Sequence, residues 1–104
     1  MRDYNIPRVD KQQRDYSELF KVGTVAQLEK LNLYENKGEF PTDLKLLYLL
    51  MQGEVKEVGI DLYMDDPEAI RLEAADVANY AHMIILECER RINSERQKQD
   101  NSLA

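Results

Sequence analysis

Leu44, Leu46, Leu47, Tyr48, Leu49, Leu50 and Met51 fall within eight consecutive positions, and this run constrains the fold more than any other stretch. Wound into two helical turns, these side chains point nearly all round the axis, so they must be buried on more than one side. The helix that carries them is predicted to begin at Pro41 and Thr42 and to run to about Tyr63. Two further helices accompany it. Thr24 followed three residues later by Gln27 has the form of a capping box, and Val25, Leu28, Leu31 and Tyr34 recur at helical intervals. A first helix is expected over residues 25–36, with Gly38 placed to stop it. Asp66 and Pro67 supply an N-cap and a first-turn proline, with Glu68 where the helix dipole favours an acid, so a third helix should run from 67 to about 93. Three helices in a chain of 104 residues can hardly cover residues 44–51. The expected fold is therefore an all-α bundle with two long helices, completed by oligomerisation, with the far half of the third helix reaching a neighbouring subunit.

The ends are expected to be less regular. Residues 1–23 mix Arg, Asp, Gln and Tyr and read as an irregular arm, pinned by Ile6, Pro7 and Val9, with Tyr16, Leu19 and Phe20 as a short turn that packs. Residues 94–104 have no apolar period and read as a frayed or disordered polar tail. The folded domain is thus placed at 24–93.

On the two long helices lie two acidic pairs. Glu54 and Glu57 are three residues apart, as are Glu73 and Asp76, and that spacing puts each pair on one face. Both faces are otherwise apolar: Leu47, Met51, Val55 and Val58 surround the first pair, and Ile70, Val77, Tyr80 and Ile84 the second. Four carboxylates pressed between two apolar helices repel one another and resist desolvation. A cation between them removes the difficulty. Hard divalent ions that favour oxygen ligands suit such a set, Mg²⁺ first and Mn²⁺ as the alternative. Solvated surface charge is the bland reading of either pair alone.

The spacing of Glu54, Glu57, Glu73 and Asp76, with Asn79 and Tyr80 one turn beyond the last acid, resembles the metal signature of the MazG-like all-α nucleoside triphosphate pyrophosphohydrolases. The resemblance covers roughly residues 24–92. Asn36, Lys37 and Gly38, before the aromatic Phe40, are similar to what short phage-type members carry ahead of their first metal helix. It departs at Gly53, where many members have another glutamate. The resemblance implies four metal ligands, Glu54, Glu57, Glu73 and Asp76, and Mg²⁺-dependent hydrolysis of a nucleoside triphosphate to monophosphate and pyrophosphate. Glu54 or Glu57 would serve as the general base, and Asn79, Tyr80 and Lys37 would contact sugar or phosphate. Tyr80 reads equally as a core residue, Lys37 as a lysine complementing a helix C-terminus, and Asp61 as an outer-shell or a plain surface acid. A non-catalytic nucleotide-binding or interaction module on the same helical oligomer is the alternative function, which the missing acid at position 53 keeps open.

Charge narrows the partners. The net charge is −6, and residues 54–76 alone hold eight acids and two bases, so all of the imbalance lies in the stretch expected to bind metal. That excludes a nucleic-acid groove, which needs a basic footprint. Cys88, the single cysteine, cannot form an internal disulfide, and no apolar run has transmembrane length or the form of a signal peptide. A cytoplasmic homodimer or homotetramer with no membrane contact is the expectation. His82, the one histidine, reads as a packed or partly exposed side chain rather than a ligand, and Arg90 and Arg91 as salt-bridge or phosphate partners.

Overall fold

The computed structural model describes residues 16–33 and 40–103. These form three α-helices, α1 (Tyr16–Leu31), α2 (Leu44–Tyr63) and α3 (Pro67–Leu103), with no strand among the described residues. The spine is α3. Both other helices pack against it, while α1 and α2 do not pack on each other. At about 1.5 Å per residue a helix of this length spans roughly 55 Å, which accounts for most of the 58 Å long axis of the molecule. No helix among the described residues is long and apolar enough to cross a membrane.

Asp43 caps α2, its carboxylate accepting from the backbone N–H of Lys45 (2.9 Å) and Leu46 (3.3 Å). The helix therefore starts after Thr42, because Asp43 rather than the expected Pro41 and Thr42 satisfies the free N–H groups. It ends in a Schellman motif: the N–H of Asp66 bonds to the carbonyl of Asp61 and that of Asp65 to the carbonyl of Leu62. The left-handed residue of the motif is Asp65, at φ 54°, a position glycine more often fills. Asp66 then caps α3, accepting from the N–H of Ala69 at 3.2 Å. The three-residue connection turns α3 back along α2 as a helical hairpin.

Two further expectations about helix ends are corrected. First, α1 begins at Tyr16 and stops at Leu31, rather than spanning 25–36. Nothing between 16 and 24 breaks a helix except Gly23, which costs only about 1 kcal/mol, and Glu18 in the first turn favours an early start. Thr24 and Gln27 thus lie inside α1 and form no capping box, while Tyr16, Leu19 and Phe20 are exposed rather than packed. Second, residues 94–103 continue α3 as helix. The chain carries no Gly or Pro after Pro67, and Glu87 pairs with Arg90 and Arg91, as Glu95 does with Lys98. Such pairs contribute about 0.2–0.5 kcal/mol each. The turn bonds of Asn32 and Leu33 follow Leu31; Tyr34, Asn36, Lys37 and Gly38, and residues 1–15 with Ile6, Pro7 and Val9, lie outside the described residues.

The shared interior is small. Among the described residues, Ala26, Leu47 and Ala75 are the buried apolar ones, and Asp76 and Asn79 the buried polar ones. Much of the apolar surface of α1 and α2 faces outward, including Leu19, Phe20, Leu46, Leu49, Val55 and Ile60.

Candidate metal centre

The hairpin brings the acids together. Glu54 lies eleven residues before Asp65, the left-handed residue of the turn, and Asp76 lies eleven after it, so antiparallel packing sets the two side by side. Carboxylate oxygens of Glu54, Glu73 and Asp76 all lie within 4.8 Å of one another. Asp76 is buried, only 3% exposed, and the two glutamates are partly buried. Glu57, one turn past Glu54, is exposed and lies outside this group.

Crowding these acids changes their proton affinity. Burial, a hydrogen bond to Glu73, and the charge of Asp76 push Glu54 from an ordinary value of 4.5 up to about 8. Glu73 is pulled the other way, below its ordinary value, by that hydrogen bond from Glu54 and by Lys30, against the opposing effect of burial. Without a metal, Glu54 is thus the protonated member at neutral pH and donates to Glu73.

Lys30, from the last turn of α1, places its Nζ 3.3 Å from Oε1 of Glu73, with both side chains largely shielded. Farther out, Arg71 pairs with Glu29 at 2.7 Å.

Next to the acids a polar latch fastens α1 to α3. The Gln27 side-chain amide donates to Oδ1 of Asn79 at 3.1 Å and to Nδ1 of His82 at 2.8 Å, and the Asn79 amide returns a bond to the Gln27 carbonyl at 3.1 Å. Gln27 Nε2 can only donate, so Nδ1 of His82 is the acceptor of this bond. Asn79 is buried and occupied by this latch, Tyr80 is half-buried, and Lys37 is outside the described residues. Sequence reasoning missed Lys30 and the role of Gln27. The available signal was their own spacing: three residues apart, Gln27 and Lys30 share one side of α1.

The donor set fits a hard cation. It consists of oxygen atoms alone, and two acids that share a proton can hold an ion once that proton leaves. The three oxygens already lie within 4.8 Å of one another, so Glu54, Glu73 and Asp76 could converge on one such ion.

The protonation of Glu54 has a measurable consequence. In the unfolded chain this group ionises near 4.5, and in the folded chain near 8, so between those values the folded state holds the extra proton. Stability therefore falls as pH rises through that window. In chelator, the melting temperature should be lower at pH 8 than at pH 6, and Glu54→Gln should flatten the dependence. An unchanged slope in the variant would assign the effect to another group.

No family model, curated protein or solved structure matches the chain.

Proposed function

We propose that the protein is a Mg²⁺-dependent nucleoside triphosphate pyrophosphohydrolase that releases nucleoside monophosphate and pyrophosphate. The observation that carries this reading is the convergence of Glu54, Glu73 and Asp76, from two helices, around a buried carboxylate. Their spacing along the chain, which resembles that of the MazG-like enzymes, suggests the reaction.

Glu54, Glu73 and Asp76 would hold the ion, which when bound supplies charge neutralisation on phosphate oxygens and an acidified water. Glu57, exposed one turn beyond Glu54, would accept the proton of the attacking water. Asn79 acts through the latch, keeping α1 and its lysine against α3, and Tyr80 is assigned to sugar or phosphate. Lys37 is assigned to the phosphate tail.

The proposal includes a homo-oligomer. On α2, helical periodicity places Leu46, Leu49, Gly53 and Ile60 on one stripe, opposite the α3-facing residues Leu47, Met51, Glu54 and Val58. All four are exposed, and Gly53 has open space around it. A second copy would cover this stripe. Light scattering should find a dimer or larger species for the native chain and a monomer for Leu49→Lys. A monodisperse native monomer would contradict the assembly.

The test of the function is a panel of ribo- and deoxyribonucleoside triphosphates incubated with the protein and Mg²⁺, with products resolved by ion exchange. Monophosphate plus pyrophosphate, absent in chelator, is the expected result. If no nucleotide is turned over while Mg²⁺ and nucleotide together still raise the melting temperature, the protein is a nucleotide-binding module instead.

A further inference from the structure

Lys30 is the residue at the acidic group that neither the sequence pattern nor the proposed reaction uses. Its ammonium lies 3.3 Å from Glu73. The side chains of Lys30 and Glu73 are 17% and 24% exposed, which sets this pair apart from the solvated Arg71–Glu29 pair at 40% and 52%. A shielded ion pair is less weakened by water and salt than an exposed one. Lys30 also hangs from the end of α1 rather than from the hairpin that carries the acids. The latch of Gln27 with Asn79 and His82, one turn earlier on α1, fixes the distance between the two.

This geometry has two consequences. A cation that takes Glu73 must first compete with an ammonium already there. Once Glu73 is engaged, a compact, strongly hydrated charge on a flexible four-carbon stem is left at the edge of the site. Anions with several oxygens are the ligands that such a charge accepts, and phosphate is the chief one.

We propose that Lys30 is the exchangeable counter-ion of the centre, tethering Glu73 in the absence of metal and turning to the phosphate oxygens of the substrate when a divalent cation binds. This rests on the pyrophosphohydrolase reading for the identity of the anion, and it makes cation and polyphosphate bind cooperatively. The tether weakens binding of the cation alone, and release of the lysine strengthens binding of the cation–phosphate complex. Lys30 is then a substrate-binding residue whose resting position weakens filling of the site by metal alone.

Isothermal titration calorimetry with two probes tests it: Mn²⁺ alone, and a preformed complex of Mn²⁺ with inorganic tripolyphosphate. Relative to the native chain, Lys30→Met should bind Mn²⁺ alone about five- to ten-fold more tightly and the complex about five- to ten-fold more weakly, the range expected for one shielded charge pair. Lys30→Arg should restore binding of the complex. Opposite shifts in the two titrations cannot come from a loosened fold, which would weaken both. If the native chain binds Mn²⁺ and Lys30→Met matches it in both titrations, or weakens both, the exchange is overturned while the metal centre stands. If the native chain binds neither probe, the metal centre itself is overturned.

Discussion

Asp76→Ala is expected to abolish stabilisation of the protein by Mg²⁺ and to lower metal-dependent nucleotide turnover by at least about 100-fold. Loss of a group that merely supports a ligand commonly costs 10- to 100-fold in metal affinity or activity, and Asp76 is itself one of three candidate ligands. Its burial, at 3% exposure, means that solvent cannot fill the gap with an equivalent charge. In chelator the same substitution removes one of the causes that keep Glu54 protonated, so the fall in melting temperature between pH 6 and pH 8 should shrink. Melting curves in chelator and in Mg²⁺, taken beside the turnover assay, read both effects. A variant still stabilised by Mg²⁺ to the native extent would remove Asp76 from the centre.

The three acids that meet were legible because their signal is local. Glu73 and Asp76 share a helix face by spacing alone, and Asp66 with Pro67 marks the start of α3, which fixes the register of the hairpin and so brings Glu54 to them. Glu57 shows the limit of the same rule. Positions 54 and 57 share a side of α2, yet one turn is enough rotation to leave Glu57 in solvent while Glu54 faces α3. The ends of α1 were not legible, since the capping-box pattern of Thr24 and Gln27 is also an ordinary mid-helix pair. Gln27 instead spends its amide on Asn79, across 52 residues, and no local rule sees that distance. For α3, the absence of apolar periodicity after Asn93 suggested disorder. Helical continuation there needs no buried face, only residues of good propensity and the absence of Gly and Pro. Lys30 was missed for a related reason: in a helix expected to run on to residue 36 it reads as an ordinary mid-helix lysine, and its acid partner lies 43 residues away.

Leu47→Ala should cost about 2–5 kcal/mol, the range for truncating a fully buried leucine. Leu47 is fully buried, at 0% exposure, and the other buried apolar residues are the small Ala26 and Ala75. A domain of this kind is stable by roughly 5–15 kcal/mol in total, so one leucine accounts for a large share. The loss should reach the metal centre too. Leu47 lies seven residues before Glu54, two turns along the same face of α2, and wedges that helix against α3. Without it α2 can slide or rotate, and a group whose oxygens converge within 4.8 Å of each other does not survive that freedom. Urea denaturation at fixed protein concentration gives the stability change, concentration being held because assembly adds to apparent stability. Leu86→Ala, on the exposed side of α3 at 41% exposure, is the control and should change stability by less than about 1 kcal/mol. Equal losses in the two variants would mean that Leu47 does not set the α2–α3 packing. A large loss confined to Leu47→Ala, with Mg²⁺ affinity falling in step, would show that the same contact which holds the hairpin closed also holds its carboxylates in register.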